Sequence, residues 1–544
     1  MKLYKIVYIL IFSILSFSLN AQTIFLPENF KLSKMFFENN FKTFSPLYSK
    51  SPNVSVNPNT SKYPISNFIT DIFVTGDTVY FGTGSGIMRT IDKFSHFQNY
   101  YGLAPFGEDD VAGFAINKNI LVVATATTVE ISGDNVPTGT GIKVSTDYGV
   151  NWNSFGQPID GRYDSSIVYG SNILYTLPVV VPQQNLSYDI AITKTKNNPG
   201  NYTIWIASWA GGIRKSDDYG STWQRVVLPP DNLDSIYIGG TYNFALDVRN
   251  NNNHKAFSIY AINDSTLYAG TAGGINKSTD WGVSWRKYSY QNSGTGVNRV
   301  AGNFVVKLYE QKFNNNSIIW AATRKADDPN ELNAISYSTN NGFSWSYTLK
   351  DIAPNGIGAL DSIVYALTDE GIWRSYFGNF NWSKPGLIYD EETRDICKAN
   401  SFYFINNIHD TLYIGSSDGL LRIKETGQPW VSKWKIYRAL KEIDLSSDIK
   451  SYAAPNPFAP NVEYTRIFYK TGKNISKITI RIFDFGMNPT RTIIRNAVRT
   501  SPEELYTIWD GLNDNGYQIA NGVYFYRIEI EGEKDEWGKI IVLQ

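Results

Sequence analysis

A twelve-residue phrase that recurs seven times constrains the fold of this chain more than any other feature. Its clearest copies read GIKVSTDYGVNW, GIRKSDDYGSTW and GINKSTDWGVSW, and each ends on a Trp seven positions after a Ser. Eroded copies keep the small-apolar opening pair and the final aromatic residue. The seven pivots, which lie 37 to 71 residues apart, are Thr90, Ser145, Ser216, Ser278, Ser338, Ser375 and Ile423. Repetition at this period predicts a repeat architecture rather than one packed core.

Short alternating runs precede most copies of the phrase and predict the strands between them. Examples are DTVYFGTG from Asp77, STLYAGTAG from Ser265 and DTLYIGSS from Asp410, in which β-branched and aromatic residues alternate with small ones. An aromatic content of 15% and 43 Gly residues suit short strands joined by tight turns. Because closing such units into a ring removes exposed sheet edges, we predict an all-β chain with a seven-bladed β-propeller over residues 63–440.

The full motif, Ser-x-Asp-x-Gly-x-x-Trp, has a physical interpretation of its own. The Ser and Asp oxygens can accept hydrogen bonds from turn amides, and the Gly can adopt the positive φ that closes a tight hairpin. The Trp then enters the next strand as a large buried side chain whose indole N–H needs a partner. The residues assigned to these turns are Ser145, Asp147, Gly149, Trp152, Ser216, Asp218, Gly220, Trp223, Ser278, Asp280, Gly282, Trp285, Asn340, Gly342 and Trp345.

This motif resembles the Asp-box, or BNR repeat, of sialidases, sortilins, xyloglucan hydrolases and photosystem II assembly factors. The resemblance is strongest around Asp147, Asp218 and Asp280, and it weakens at Asn340, where an amide replaces the carboxylate. It implies that the boxes lie on the outer rim of each blade, away from the central channel where ligands bind, and that their role is structural.

The amino terminus predicts export. Lys2 and Lys5 precede an apolar stretch from Ile6 to Leu19, which is too short for a membrane-spanning helix and typical of a signal peptide over residues 1–21. Residues 22–62 have the Asn, Ser, Pro and Lys content of a linker. The single Cys gives no disulfide framework. We expect no transmembrane segment after cleavage and an exported protein, at the cell surface or outside the cell, that passes through the periplasm.

After a second linker over residues 441–450, the sequence changes character, and residues 451–544 read as alternating runs separated by Gly, Asn and Asp turns. This pattern predicts a small immunoglobulin-like β-sandwich. It resembles the FlgD-type domain that serves as the type IX secretion sorting signal of Bacteroidetes and related phyla, and that resemblance implies the type IX secretion machinery as a partner. A purely structural module is the alternative. The matching residues are Pro455, Asn456, Pro457, Phe458, Trp509, Asp510, Gly511, Gly522 and Tyr524.

The composition and motifs exclude several function classes. Fifty basic residues balance fifty acidic ones, so no net field attracts nucleic acid. The three His residues lie far apart, and the sequence has no HExxH, GxSxG, Walker or paired CxxC motif. No catalytic residue, metal ligand or cofactor site is therefore assigned. Cys397 is expected to be a buried small side chain rather than a nucleophile.

Two functions remain open from the sequence. The leading hypothesis is a non-enzymatic binding or scaffold module for a glycan or a surface protein. Exposed aromatic residues such as Tyr100, Tyr101 and Trp209 would suit such contacts, although they suit a blade core equally well. The alternative is a glycan-active hydrolase or lyase with its site in the propeller channel, where loop charges at Asp160, Arg162 and Asp164 would meet.

Overall fold

The structure, a computed structural model, describes residues 51–443, 446, 450–460 and 462–544. The predicted signal peptide and residues 22–50 of the predicted linker lie outside this described part. The described residues form β-strands, nearly all paired antiparallel, and one short 3₁₀ turn, Asn252–His254, so the predicted all-β class is confirmed. Within the same residues, no helix reaches the length and apolar character needed to cross a membrane.

Seven antiparallel sheets, called here the first to seventh ring sheets, follow one another between residues 69 and 437. Within each sheet, every strand pairs with the next one along the chain, which is the meander expected for strands joined by tight turns. In the first three ring sheets the strands are Ile69–Thr75, Thr78–Thr83, Gly86–Thr90 and Phe97–Asn99; then Asp110–Asn117, Ile120–Ile131, Asp134–Ser145 and Asn151–Phe155; then Ser187–Thr195, Asn198–Ser208, Gly212–Ser216 and Gln224–Arg225.

The remaining four ring sheets repeat this meander. Their strands are Ala256–Ala261, Leu267–Thr271, Gly274–Ser278 and Trp285–Tyr288; then Phe304–Phe313, Asn316–Arg324, Ala334–Ser338 and Ser346–Thr348; then Pro354–Leu360, Ile363–Thr368, Gly371–Tyr376 and Asn379–Ser383; then Phe402–Ile408, Thr411–Ser416, Gly419–Lys424 and Lys435–Tyr437.

The first strand of each ring sheet contacts the first strand of the next, and the seventh sheet contacts the first, which closes the ring of a β-propeller. At the closure, Asn406 Nδ2 donates to Ile72 O over 3.0 Å. Next to this closure, Gly419 N donates to Asn67 O over 2.6 Å, and Ala439 N donates to Asn67 Oδ1 over 2.7 Å. Side-chain amides and backbone groups therefore join the two ends of the ring without a shared strand.

Part of the predicted N-terminal linker belongs to the sheets, which corrects the linker assignment for residues 51–61. Ser51–Ser55 pairs with Asn151–Phe155 as a fifth strand of the second ring sheet, and Asn59–Ser61 pairs with Phe97–Asn99 in the first. Asn and Ser are poor strand formers by composition, but the outer strands of both sheets offer unpaired N–H and C=O groups that this segment satisfies.

Several shorter strands lie outside the four-stranded meanders of the ring. Ser235–Ile236 adds a fifth strand to the fourth ring sheet, and Tyr389–Asp390 pairs with Asp395–Ile396. A hairpin of Ser166–Tyr169 and Asn172–Thr176, joined in parallel by Ala245–Leu246, lies in the insertion between the second and third ring sheets. The inward residues of this hairpin, Tyr169 and Leu174, pack in the same apolar cluster as Trp205 and Trp285.

The tail forms two facing sheets with a single apolar core. Phe458, Ile467 and Trp509 meet Ile480 and Ile528 in that core, so side chains from both sheets interdigitate. The three-stranded sheet consists of Ser451–Ala454, Thr465–Lys470 and Glu504–Trp509, and the four-stranded sheet consists of Pro489–Arg499, Ser476–Phe483, Gly522–Ile530 and Glu536–Val542.

A charged contact joins the tail to the ring. Arg466 of the tail lies 2.7 Å from Asp395, which follows the sixth ring sheet, and both side chains are buried. Arg438 lies 3.3 Å from the same carboxylate. Beside it, Glu504 of the tail accepts hydrogen bonds from Tyr63 Oη over 2.6 Å and from Ile443 N over 2.8 Å.

Candidate functional site

The predicted Ser–Asp turns have one shared geometry. In the second ring sheet, Ser145 Oγ lies 2.8 Å from Asp147 Oδ1, and Gly149 N donates to Ser145 Oγ over 2.9 Å. Asn151 N donates to Asp147 Oδ1 over 2.9 Å, and the indole N–H of Trp152 donates to Gly149 O over 3.0 Å. Every group of the motif is therefore used inside the turn, and the indole that the motif buries finds its partner there.

The same hydrogen bonds recur in the third and fourth ring sheets. Gly220 N donates to Ser216 Oγ over 2.8 Å and Gly282 N to Ser278 Oγ over 3.0 Å. The indoles of Trp223 and Trp285 donate to the carbonyls of Gly220 and Gly282 over 3.1 and 3.0 Å. In the fifth sheet the amide oxygen of Asn340 replaces the carboxylate and accepts from Ser344 N, while Gly342 and Trp345 keep their places.

These carboxylates are structural acceptors. Partial burial works against ionisation of Asp147, Asp218 and Asp280, but hydrogen bonds from backbone N–H groups and from the motif Ser outweigh it and hold each pKa below its usual range. Most acceptor sites of these carboxylates are engaged inside their own turns, as a structural role requires.

The turns between strands lie at two opposite ends of the ring. Each Ser–Asp turn joins the third and fourth strands of its sheet, so it lies at the same end as the turn between the first and second strands. The turn between the second and third strands and the connections between sheets lie at the opposite end, which we call the loop face. A ligand site built from several ring sheets belongs on the loop face, because the longest connections meet there.

A cavity of about 500 Å³ opens on the loop face between the fourth and fifth ring sheets. The connection that leads into the fourth sheet, the connection between the two sheets and the second–third turns of both contribute to its walls. We call it the acidic cavity, because its charged lining residues are Asp231, Asp234, Lys287, Asp327, Asp328 and Glu331.

Two carboxylates of the acidic cavity are held in place by amides. Asp231 accepts hydrogen bonds from the backbone N–H groups of Asn252 and Asn253, both over 2.7 Å. Glu331 accepts from Asn303 N over 2.9 Å, from Asn303 Nδ2 over 2.7 Å and from Ala326 N over 2.7 Å. Both side chains are therefore oriented before any ligand arrives.

Burial shifts the pKa of two charged groups in the acidic cavity, Glu331 and Lys287. Burial raises the pKa of Glu331, while the N–H groups of Asn303 and Ala326 act in the opposite direction. Burial lowers the pKa of Lys287, against the attraction of Asp231 and Asp234. The Lys287 ammonium donates to Pro230 O over 3.1 Å and to Asp231 O over 2.6 Å, so it fixes the wall of the cavity. The cavity therefore presents hydrogen-bond acceptors to a ligand that carries N–H or O–H donors.

The charged residues predicted to meet at the channel mouth do not form a shared site. The side chain of Asp160, only 8% exposed, lies between Arg214, 2.7 Å away, and Arg225, which donates to the same carboxylate. Burial works against ionisation of Asp160, but the two guanidinium groups lower its pKa. Asp164 instead accepts from Gly161 N over 2.7 Å. The network ties the insertion to the third ring sheet.

The central channel is crossed by a side chain. Lys307 extends from the fifth ring sheet, and its ammonium lies 2.9 Å from the Asp189 carboxylate of the third sheet. The same ammonium lies 5.4 Å from the ring centre of Phe404 in the seventh sheet. Ser258 Oγ donates to Asp189 Oδ2 over 2.9 Å, so this channel carboxylate is fully engaged by protein groups.

The aromatic residues proposed for ligand contact lie in or near the blade cores. Tyr100 is fully buried, with its ring centre 5.4 Å from that of Phe106 and 6.3 Å from that of Trp152. Trp209 is partly buried against an apolar cluster of the ring, and Tyr101 is half-exposed. The contact hypothesis is wrong for Tyr100, because the fold uses its ring to fill the space between two sheets.

The side chains of His254, Cys397 and His96 also make contacts within the protein. His254 is buried, its Nε2 lies 3.2 Å from Leu228 O, and burial lowers its pKa to about 4. Cys397 packs against the apolar cluster of the sixth and seventh sheets, and burial raises its pKa to about 11. His96 is exposed, and its Nδ1 lies 2.8 Å from Asp92 Oδ2.

In the tail, the predicted sorting residues meet around the last strand. The side chain of Asn456 spans that strand, because its Nδ2 donates to Lys539 O and its Oδ1 accepts from Ile541 N, both over 2.8 Å. Phe458 pairs in parallel with Val542, and its ring lies 5.5 Å from that of Trp509 in the core. The Pro-Asn-Pro-Phe segment therefore holds the last strand in place, and we call these contacts of Asn456 and Phe458 the clamp.

The remaining sorting residues shape the turn beside this clamp. Asp510 Oδ1 accepts from Leu512 N over 3.0 Å, and the Trp509 indole donates to Leu512 O over 3.1 Å. Gly511 has a φ of +73°, and a Cβ there would lie 2.5 Å from Pro460. Tyr524 Oη donates to Ala520 O over 3.0 Å. Gly522, Pro455 and Pro457 lie in the same region of the sandwich, near the ends of its strands.

No family model matches the sequence, and no curated protein matches it. Among solved structures, the chain is similar to PorZ of Porphyromonas gingivalis, described as an essential bacterial surface component of the type-IX secretion system, at 12% identity and a TM-score of 0.34, over 89% of this chain and 66% of PorZ. A GH74 enzyme from Niastella koreensis matches at 13% identity and a TM-score of 0.43, over 91% of this chain and 75% of the enzyme.

YCF48 bound to a D1 peptide matches at 13% identity and a TM-score of 0.40, over 69% of this chain and 97% of YCF48. These three proteins differ in what they do, so the likeness extends to the general fold and does not assign a function. The acidic cavity is the feature that sequence reasoning missed. Its carboxylates come from two segments almost 100 residues apart, 231–234 and 327–331, and only the pair Asp327 and Asp328 stands out along the chain.

Proposed function

We propose that the chain is an exported binding module that holds a polar ligand in the acidic cavity of its loop face. The observation that carries this proposal is a cavity of about 500 Å³ lined by five carboxylates, in which backbone and side-chain amides hold the wall at Asp231 and Glu331. A wall that is fixed in advance loses little conformational entropy on binding, so the remaining carboxylates, Asp234, Asp327 and Asp328, favour recognition of hydroxyl or amine donors. Sugars and basic side chains have such donors.

The same contacts favour binding over hydrolysis. A glycoside hydrolase needs one carboxyl that can give a proton and a second carboxylate that can attack or activate water. Glu331 has a raised pKa, as a general acid requires, but its two oxygens already accept three hydrogen bonds from N–H groups. In the channel, Asp189 is paired with Lys307. Hydrolysis is therefore the second candidate function. Cleavage of a bound glycan in the binding experiment would distinguish it from binding alone.

The binding proposal is tested with residues 22–544 on an array of glycans and basic peptides. We expect retention of at least one class of ligand, and a loss of about tenfold or more in affinity when Asp234→Asn and Asp327→Asn remove two cavity carboxylates. Asp410→Asn is the matched control, because that exposed carboxylate pairs with Lys424 away from the cavity. Cleavage of a retained glycan would identify a hydrolase instead, and equal binding by all variants would place the ligand elsewhere.

For delivery, we propose that residues 1–21 direct export and that residues 451–544 form the sorting domain for the type IX secretion machinery. The proposal is supported by the clamp of Asn456 and Phe458 on the last strand, because it gives the residues of the sorting motif one defined arrangement that a partner can recognise.

The sorting proposal is tested in the full chain, in a host with that machinery. Asn456→Ala removes both clamping hydrogen bonds and should leave the protein in the periplasm. Asn515→Ala, at an exposed turn of the same sandwich, should reach the cell surface like the natural chain. Surface delivery of both variants in equal amounts would contradict a role of the clamp in sorting.

A further inference from the structure

The inserted hairpin presents an apolar sheet face that the described residues leave uncovered. Its strands pair Val168 with Ile173 and Ser166 with Tyr175, so these four side chains point away from the ring. Val168 is 72% exposed, Ile173 77% and Tyr175 54%. The opposite face of the hairpin is the one that packs against the fourth ring sheet, through Tyr169 and Leu174. We call the outward side the hairpin face.

The surroundings of the hairpin extend this apolar surface. Tyr163, which precedes the hairpin, is 89% exposed, and Ile238, 51% exposed, approaches the hairpin turn at Gly170. Monomeric proteins seldom leave a contiguous apolar surface of this kind in water. Ser166–Tyr169 is also an edge strand with one unpaired side, which adds backbone groups that a neighbouring chain segment can satisfy.

The chain supplies a matching segment just before the described residues. Within the predicted linker, residues 23–50 also contain six Phe together with Ile24, Leu26, Leu32, Met35 and Leu47, apolar side chains that a solvated linker seldom carries. Four Lys and two Glu residues are spaced among them. A segment of this composition gains stability only against a surface, because exposed Phe side chains cost free energy in water.

The position of Ser51 brings this segment to the right part of the molecule. Ser51–Ser55 runs antiparallel to Asn151–Phe155, with Ser51 opposite Ser154. Ser51 therefore lies at the end of the second ring sheet where Phe155 leaves it, at the start of the insertion that holds the hairpin. Phe155 and Ser166 are eleven residues apart, at most about 36 Å of extended chain, and residues 23–50 can span about 90 Å.

We propose that residues 23–50 act as a strap that covers the hairpin face with its Phe and Leu side chains. The strap would shield the exposed residues of the hairpin and extend the ring contact that Ser51–Ser55 begins. The inference is independent of the ligand proposed for the acidic cavity.

The proposal is tested by limited trypsin digestion of residues 22–544, followed by mass measurement. In the natural chain, Lys31, Lys34 and Lys42 should be protected. In the double variant Val168→Thr/Ile173→Thr, which keeps the strand preference of the hairpin and adds no trypsin site, cleavage at these Lys residues should become about tenfold faster. Leu387→Thr/Val431→Thr, at two equally exposed apolar residues elsewhere on the ring, is the matched control and should leave the protection unchanged.

A second measurement separates the strap from other occupants. Residues 51–544, which lack the strap, should bind more of an apolar dye than residues 22–544, and the Thr double variant should remove the difference. Equal cleavage of the natural chain and the Thr double variant would overturn the proposal. A dimer of residues 22–544 that the Thr double variant converts to a monomer would also overturn it, because a second copy would then be the occupant of the hairpin face.

Discussion

At the residue scale, the Ser–Asp turns show how one short motif stabilises a hairpin. In the fourth ring sheet, Ser278 and Asp280 accept the turn amides while the indole of Trp285 lies fully buried behind them. The aromatic residue between Asp and Gly has a positive φ in three of these turns, 60° at Tyr148, 57° at Tyr219 and 63° at Trp281. A bulky residue rarely adopts that conformation, so the hydrogen bonds of the motif have to offset its strain.

The two parts of a Ser–Asp turn should differ in their effect on stability. Trp285→Ala removes a fully buried aromatic side chain and should lower the free energy of unfolding by about 3–5 kcal/mol. Asp280→Ala leaves turn amides without acceptors and should cost about 1–3 kcal/mol. Chemical denaturation of both variants measures the two values. Unchanged stability together with lost ligand binding would show that the turn is a binding site.

His254 makes stability depend on pH. The unfolded chain takes up a proton near the ordinary pKa of 6.5, whereas burial holds the folded pKa at about 4. Because the unfolded state binds the proton first as pH falls, stability is complete above pH 6.5 and decreases by up to about 3 kcal/mol toward pH 4. The groups that face this imidazole are Leu228 O, Asp231, Arg225 and Lys287.

The pH prediction is measured as the difference in unfolding free energy between the natural chain and His254→Gln from pH 7.5 to 4.5. The advantage of the natural chain should shrink as pH falls, because only the natural chain must keep this imidazole neutral. His96→Gln, at an exposed position, is the control for loss of a His. A difference that stays constant over this range would contradict the burial effect.

At the element scale, the sixth and seventh ring sheets show how a sheet is stabilised where its copy of the Ser–Asp motif is incomplete. In the sixth and seventh ring sheets, Arg374 and Glu425 form a buried pair with N–O distances of 2.9 and 3.0 Å. Tyr365 Oη donates to the same carboxylate, and Gly427 N donates to it over 2.7 Å. An ion pair between neighbouring sheets therefore replaces the hydrogen bonds of a Ser–Asp turn.

Removing one partner of this pair should be costly. Glu425→Ala leaves the buried guanidinium of Arg374 without its anion and should lower the free energy of unfolding by about 3–5 kcal/mol. The control is Asp410→Ala, which breaks an exposed pair with Lys424 on the same strand hairpin and should cost less than about 1 kcal/mol. Thermal and chemical unfolding measure both. Equal effects would mean that the pair adds nothing beyond a surface contact.

Much of the element pattern could be predicted from the sequence, because alternation and turn residues are local signals. The strands around Ser145, Ser216 and Ser278 follow the motif closely. The strand Ser51–Ser55 could not be predicted, because its partner lies about 100 residues further along the chain and its own composition is that of a loop. The same limit applies to the acidic cavity, whose carboxylates meet only after two sheets are placed side by side.

At the scale of the whole molecule, the ring and the tail share a buried charge. Asp395 lies between Arg466 of the tail and Arg438 of the ring, and Arg438 also contacts Asp418 over 2.6 Å. Around this centre, Glu504 of the tail accepts from Tyr63, which precedes the first ring sheet, and from Ile443, which follows the seventh. Such a contact holds the two parts in one arrangement, since separating them exposes charges that are paired only across the boundary.

Asp395→Ala should uncouple the two parts. The substitution leaves Arg466 and Arg438 without their shared anion, and we expect the single unfolding transition to separate into two, with a loss of about 3–5 kcal/mol for the tail. Calorimetry measures the separation. Lys433→Ala, which breaks an exposed pair with Glu391 outside the tail, is the control. One unchanged transition in Asp395→Ala would show that the parts are joined by other contacts.

The sequence by itself determined the repeated strand pattern and the residue pattern of the Ser–Asp turns, because each depends on neighbours along the chain. Only the tertiary structure decided where distant groups meet. It closed the ring through Asn67 and Asn406, turned Asp160 into a buried ion-pair partner and gathered the carboxylates of the acidic cavity. These outcomes depend on packing between sheets, and no local pattern encodes which side chains the closed ring brings within hydrogen-bond distance.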